Sequence, residues 1–117
     1  MNEAMAYSEE LAQRIRGAFA KKVRAEEKKM MGGLTFMVDG KMCVGIIKDE
    51  LMVRLDPAMH EKALERKGCH EMDMMKRKIR GFVLVSPSGL KQQKDFDYWI
   101  KLAIDFNTYA KASRKKK

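Results

Sequence analysis

Two cysteines and two histidines are the side chains of this chain best suited to nucleophilic or metal chemistry. Cys69 directly precedes His70, and a thiol beside an imidazole could supply a nucleophile and its general base. Neighbours in sequence rarely bring their side chains together, and no Asn or Asp is evidently placed to orient the imidazole. His60 would add a third ligand, with a spacing that fits no common zinc pattern. We therefore predict no enzyme, metal or cofactor, and a thiol enzyme that uses Cys69 or Cys43 is the open alternative.

The composition is that of one soluble domain. Hydrophobic residues make up 45% of the 117 residues and charged residues 35%, which is ordinary for a protein that one core can hold together. No apolar stretch approaches the roughly 18 residues of a membrane helix, and the start MNEAMAYSEE lacks the features of a secretory signal. The cysteines lack the spacing of a disulfide framework. We expect a cytoplasmic protein with no membrane partner, one domain at residues 1–110 and a mobile basic tail at residues 111–117.

The formal net charge of +9 makes nucleic acid a candidate partner. Clustered bases attract nucleic acid because binding releases counterions. No zinc finger, aromatic ribonucleoprotein signature or convincing helix-turn-helix accompanies the bases here. Solvated surface charge is thus the first interpretation, and sequence-nonspecific nucleic-acid binding through a basic loop and tail is the alternative. The residues predicted for that alternative are Lys76, Arg77, Lys78, Arg80, Arg114, Lys115, Lys116 and Lys117.

Helix and turn signals divide the chain into helices and strands. Ser8, followed by two glutamates, is typical of a helix start, and apolar spacing continues this helix to about Lys22. Asp56-Pro57 predicts the start of a second helix, and Gly68 predicts its end. The remaining predicted elements are strands at 71–75 and 81–85 and a last amphipathic helix that opens near Asp95.

Residues 27–54, EKKMMGGLTFMVDGKMCVGIIKDELMVR, contain three short apolar runs separated by turn signals. This pattern predicts an antiparallel meander of three strands. A two-residue turn at 39–40 would place Phe36 opposite Cys43 and, two residues further along, Leu34 opposite Gly45.

The same arithmetic assigns side chains to the two faces of the predicted sheet. With a second two-residue turn at 48–49, one face is almost wholly apolar and is predicted to lie under the helices: Thr35, Met37, Met42, Val44, Ile46, Leu51, Val53 and Leu55. A three-residue second turn would move Leu51, Val53 and Leu55 to the other face. That other face is predicted to hold Leu34, Phe36, Val38, Cys43, Ile47 and Met52 with Lys41, Glu50 and Arg54.

This second face of the sheet mixes apolar and charged side chains. It is too apolar for open water and too charged for a core, so we expect it to bind a partner. The chain has 11 methionines, and thioethers fill irregular cores but also suit adaptable surfaces. We predict protein association with an unidentified protein, a homodimer being one option. The residues predicted for this interface are Leu34, Phe36, Cys43, Met52, Arg54, Met74 and Met75.

Short motifs follow the meander in a characteristic order: Asp56-Pro57, Ala63-Leu64, Gly68, Met72-Asp73, Gly81-Phe82-Val83, Pro87 with Gly89, and Trp99 with Phe106. In this order, from about Tyr7 to Phe106, the chain resembles the N-terminal domain of the TfoX/Sxy family of competence regulators. The resemblance implies an α+β fold of two layers, with an antiparallel sheet and helices in the order helix, three strands, helix, two strands, helix. Such a fold is of the secretion-chaperone-like kind.

The resemblance also implies a function. Longer members look like transcriptional coregulators that act with the cyclic-AMP receptor protein at competence promoters, and they carry a second, C-terminal domain that this chain is not expected to hold. The chain departs from the family pattern at Met31, where Phe is usual, and where Lys76 and Lys78 replace a Gly and a Pro of a segment like DFTGRPMKG. We predict a non-enzymatic interaction module, a stand-alone TfoX N-terminal-like domain, which takes part in transcriptional regulation through protein association.

Overall fold

The computed structural model of the chain describes residues 7–20, 22–30, 32–74 and 77–110, with the backbone alone at 73, 74 and 77–79. The helices are α1 (Glu9–Phe19), α2 (His60–Leu64) and α3 (Gln93–Asn107), and 3₁₀ turns lie at Pro57–Met59 and Pro87–Gly89. The strands are β1 (Ala25–Met30), β2 (Gly33–Val38), β3 (Lys41–Ile47), β4 (Glu50–Arg54), β5 (Cys69–Met74) and β6 (Arg77–Val85). None of the helices in these ranges is long and apolar enough to cross a membrane.

Side-chain caps start the first two helical segments where the sequence predicts them. The Ser8 hydroxyl accepts a hydrogen bond from the backbone N–H of Leu11 at 3.1 Å, which satisfies one of the free amides of α1. The Asp56 carboxylate likewise accepts from the N–H of Ala58 at 2.9 Å. The second helix is shorter than predicted, because α2 ends at Leu64 rather than near Gly68.

The six strands form one antiparallel sheet in the order β1-β2-β3-β4-β6-β5. The predicted α+β fold is therefore confirmed, with helices and strands alternating as expected. The meander after α1 has four strands rather than three, because β1 was not predicted. Its sequence AEEKKM has four charged residues and no alternation of apolar side chains, so it lacks the usual strand pattern. It pairs along its whole length with β2, from Ala25 opposite Val38 to Met30 opposite Gly33.

The helices cover one face of the sheet, which we call the helix face. Its side chains form one buried cluster with those of the helices. From the sheet the cluster takes Leu34, Phe36, Val44, Ile46, Leu51, Val53, Val83 and Val85, and from α1 and α3 it takes Leu11, Ile15, Phe19, Phe96, Trp99 and Ile100. The opposite face, which we call the outer face, holds the residues that alternate with these along the strands.

The predicted register between β2 and β3 holds next to the turn, where Val38 lies opposite Lys41, and is wrong further along the strands. Asp39 and Gly40 form the predicted two-residue turn, with φ angles of 56° and 75°. Beyond the turn the register shifts by one residue, so that Phe36 lies opposite Val44 instead of Cys43. Cys43 is the extra residue of a β-bulge on β3, and a bulge reverses the phase of every pair beyond it.

The bulge exchanges the two faces of β2. The sequence predicts Leu34 opposite Gly45, on the face that we expect to bind a partner. In the structure Leu34 lies opposite Ile46 on the helix face. Phe36 moves to the helix face with it, and Thr35 and Met37 move to the outer face. The second predicted turn, at residues 48–49, is confirmed because Ile46 lies opposite Leu51.

Candidate interaction surfaces

The outer face of the sheet has a buried centre and a half-buried rim. At the centre, Thr35 is 2% exposed, Met37 7% and Met52 1%. The rim consists of four half-buried apolar side chains: Met42, Ile47, Phe82 and Leu84. Of the predicted interface residues, Met52 therefore lies on the expected face but within its buried centre. The rim is the part of this face that a partner could contact.

Arg54, another predicted interface residue, lies half-buried on the same face. Its guanidinium carbon is 5.4 Å from the ring centroid of Phe82, the residue opposite it on β6. Its Nη1 donates to the backbone carbonyl of Met42 at 3.5 Å. Burial lowers the pKa of Arg54, because a desolvated cation is disfavoured. These contacts place one cation among the apolar side chains of the rim.

The other predicted interface residues divide into two groups. Leu34, Phe36 and Cys43 are 3%, 1% and 1% exposed and belong to the cluster under the helices, so their predicted place on the face opposite the helices is wrong, because the β-bulge shifts the register. Met74 lies in β5, where the structure describes the backbone alone, and Met75 lies outside the described residues.

The basic residues predicted to bind nucleic acid fall mostly outside the described side chains. Arg77 and Lys78 lie in β6 with the backbone alone described, and Lys76 and the residues 114–117 lie outside the described ranges. Arg80 is described, and its guanidinium makes a bidentate pair with Glu61 at 2.7 and 2.8 Å. Nine of the 25 Lys and Arg side chains, but only two of the 16 acidic ones, are not described. The described surface is therefore close to charge balance.

The Cys69–His70 pair does not form a nucleophile and base. Neighbouring residues of a strand point to opposite faces, and Cys69 lies opposite Val85 while His70 lies opposite Leu84. The His70 Nε2 is instead 3.0 Å from a carboxylate oxygen of Glu50. Burial raises the pKa of Cys69 to about 11 and that of Cys43 to about 12, which disfavours the reactive thiolate.

His60 has a structural position that the sequence did not predict. Its side chain is buried, its Nδ1 accepts the backbone N–H of Gly81 at 3.0 Å, and its Nε2 is 3.1 Å from Glu71. Because Nδ1 accepts, the proton of the neutral ring lies on Nε2. No signal in the sequence links these three residues, which α2, β5 and β6 bring together. Among the described residues no group of three metal-ligating side chains occurs.

A second cluster that the sequence did not predict surrounds Arg66. Its guanidinium carbon lies 3.7 Å from the ring centroid of Tyr98 and 5.9 Å from that of Trp99. Its Nη2 is 3.4 Å from a carboxylate oxygen of Asp95. These contacts fasten the loop after α2 to the start of α3, because cation–π pairs and an ion pair act on one side chain.

β1 is one of the two edge strands of the sheet, at the end opposite β5. Its four central side chains are exposed, two acids followed by two bases. Arg16 of α1 holds Glu27 through a bidentate pair at 2.6 and 2.9 Å and also contacts Glu9 at 3.0 Å. Hydrogen bonds from Arg16 lower the pKa of both carboxyls. Glu27 is therefore paired within its own chain.

Comparison with known proteins assigns these elements to one family. The family described as TfoX N-terminal domain matches residues 17–107, which run from within α1 to the last residue of α3. No curated protein and no solved structure matches the chain significantly. Since the match covers well over half of the 117 residues, the chain belongs to the TfoX N-terminal domain family.

Proposed function

We propose that this chain is a non-enzymatic interaction module of the cytoplasm that takes part in transcriptional regulation by associating with another protein. The observation that carries the proposal is the family match over residues 17–107. The rim of the outer face supports association, because it combines four half-buried apolar side chains, Met42, Ile47, Phe82 and Leu84, with Arg54, which lies against Phe82. Met, aromatic and Arg side chains are enriched at protein interfaces.

The chemistry of the described cysteines and histidines supports a role without catalysis. Both thiols have pKa values raised by burial, to about 12 at Cys43 and about 11 at Cys69. The ring of His60 binds Gly81 and Glu71, and the ring of His70 binds Glu50. A general base needs a free nitrogen within reach of a nucleophile. The contacts of these rings are with structural groups instead.

The direct test is titration of purified chain with the cyclic-AMP receptor protein in the presence of cyclic AMP, because the longer members of the family resemble coregulators that act with that protein. We expect binding that Ile47→Ser weakens, because Ile47 lies on the rim. Tyr109→Ser is the matched control, since Tyr109 is 79% exposed and lies after α3. Deleting the gene and profiling transcripts tests the regulatory part. Absence of binding together with an unchanged transcript profile would contradict the proposal.

Nucleic-acid binding is the second candidate, favoured by where the excess charge lies. Nine Lys and Arg side chains outside the described ones carry most of the net charge of +9, and they are concentrated at 76–78 and 111–117. Phosphate contacts by such clusters are sequence-independent and sensitive to salt. The two candidates are therefore separated by ionic strength, because an apolar rim should bind its partner with little dependence on salt.

A further inference from the structure

The open edge of β1 is a surface that the proposed function leaves unassigned. Within the part of the chain that the structure describes, β1 pairs with β2 alone and ends the sheet. An edge strand presents backbone N–H and C=O groups that can pair with another strand. Proteins commonly prevent such pairing with charged side chains, especially lysines, on the edge strand. The charges on β1 are of both signs, and their order has a different consequence.

The order of charges on β1 is complementary to a second, antiparallel copy of the same strand. The acids Glu26 and Glu27 precede the bases Lys28 and Lys29, and all four side chains are exposed. A parallel copy in the same register would place acid against acid. An antiparallel copy places acid against base, and opposite charges directly across a strand pair stabilise it.

Symmetry restricts the registers in which two copies can pair. Two antiparallel strands in one sheet are related by a two-fold axis perpendicular to the sheet, which keeps the faces of both copies on the same side. Directly opposed residues must then share a face, so their numbers must both be odd or both be even. The pair is therefore centred on one residue, and the registers that keep most of the six-residue strand paired centre on Glu27 or Lys28.

The contacts of Glu27 favour the register centred on it. In that register Glu26 lies opposite Lys28 of the second copy, and Lys28 lies opposite its Glu26. The like pair at the centre is Glu27 against Glu27, and each carboxylate is already held by Arg16 of its own chain at 2.6 and 2.9 Å. The other register would also form two opposite pairs, Glu27 with Lys29 of the second copy. It would centre, however, on Lys28 against Lys28, which faces Thr35 rather than an acid on β2, and Glu26 would lie opposite Met30.

We infer that two copies of this chain associate edge to edge through β1, with Glu26 of each copy opposite Lys28 of the other. The inference deepens the association part of the proposed function, and the two fail separately. A parent chain that stays monomeric but still binds the receptor protein would overturn the inference alone. A dimer without binding or regulation would overturn the proposed function alone.

Charge reversal tests the inference, with oligomeric state measured by sedimentation velocity up to millimolar concentration. Glu26→Lys and Lys28→Glu should each weaken the dimer about tenfold or more, because each turns two opposite pairs into like pairs. The two variants mixed should form a heterodimer, since both of its cross-strand pairs are again opposite. The double variant E26K/K28E should dimerise as the parent does. High salt should weaken the parent dimer.

Matched controls separate the edge from total charge. Glu65→Lys and Lys91→Glu change the net charge equally at exposed positions outside β1 and should leave the dimer unchanged. Neither Glu26 nor Lys28 pairs with a charged residue across β2, since they face Met37 and Thr35, so the variants should melt as the parent does. A parent chain that is monomeric at millimolar concentration, single variants that dimerise equally well, or a mixture without heterodimer would each overturn the inference.

Discussion

The Nδ1 of His60 accepts the backbone N–H of Gly81 at 3.0 Å inside the protein, where His60 is 2% exposed. This bond ties α2 to the middle of β6, and the second ring nitrogen extends the connection to Glu71 on β5. The amide that this bond satisfies belongs to Gly81, whose φ of 93° lies in the left-handed region. The histidine that the sequence offers as a metal ligand is thus a structural hydrogen-bonding group.

His60→Ala should destabilise the protein by about 2–4 kcal/mol, because it leaves a buried N–H unsatisfied and opens a cavity. Denaturant unfolding measures the change. The matched control is His70→Ala, whose pair with Glu50 is exposed and should contribute less than about 1 kcal/mol. Equal losses of unfolding free energy in the two variants would show that the buried hydrogen bond to Gly81 stabilises no more than the exposed pair does.

Gly89→Ala should destabilise the protein by about 2 kcal/mol or more, because the new methyl has no room. A Cβ there would overlap the carbonyl oxygen of Lys67 and come within 2.8 Å of the Val85 side chain. Gly17→Ala is the control, since nothing lies within 4 Å of a Cβ at that helical position, and it should stabilise by up to about 1 kcal/mol. Thermal melts that shift in the same direction for both would contradict this account.

The thiols should react slowly in the folded protein. Burial raises the pKa of Cys43 to about 12 and that of Cys69 to about 11, from an ordinary value of 9.0. Mass spectrometry after iodoacetamide treatment at mildly alkaline pH should show little labelling, with Cys69 ahead of Cys43, and full labelling in denaturant. Rapid labelling of either native thiol would contradict the burial that the structure shows.

The same shifts predict a loss of stability at alkaline pH. The folded protein retains thiol protons that the unfolded chain releases, so this contribution is fully present below the ordinary pKa of 9.0 and falls as the pH rises toward the folded values. In Cys43→Ala the free energy of unfolding should fall less steeply as the pH rises. Each protein is compared with its own value at neutral pH, so that the lower overall stability of the variant does not enter.

Arg16→Gln should raise the pKa of the Glu27 carboxyl toward its ordinary value. Hydrogen bonds from Arg16 are the main cause of the lowered pKa. A carboxyl with a depressed folded pKa stabilises above the ordinary value and loses that contribution as the pH falls. NMR titration of the Glu27 carboxyl carbon measures this directly, with Glu10 as an internal reference. The effect on stability should be at most about 1 kcal/mol, because the pair is exposed.

Nucleic-acid binding, the second candidate function, should weaken steeply with salt. Deleting residues 114–117 should make the plot of log affinity against log salt shallower by up to about three units, since each neutralised phosphate contributes about 0.7–0.9. Arg80→Ala is the contrasting variant and should change the slope little, because Glu61 already binds that guanidinium. Absence of binding at low salt would dispose of this candidate.

Local signals allowed much of the fold to be predicted. Ser8, Asp56 and the Asp39-Gly40 turn act through side-chain caps and backbone preferences of a few neighbouring residues, and each is where the sequence predicts it. The β-bulge at Cys43 and the charged strand β1 could not be predicted in this way. The change of phase at the bulge cannot be read from the sequence, because Met42, Cys43 and Val44 are all apolar. β1 depends on an available edge of β2 rather than on its own pattern.

The candidate interaction surfaces likewise divide into features that the sequence predicts and features that depend on tertiary packing. The sequence by itself determined the order of helices and strands, the two hairpin turns and the membership of the TfoX N-terminal domain family, because caps, turns and motif order are local properties of the chain. Only the tertiary structure decided that Leu34 and Phe36 lie under the helices, that His60 binds Gly81, and that Arg66 stacks on Tyr98. These depend on register and on contacts between residues distant in sequence, which form only when the sheet and helices pack together.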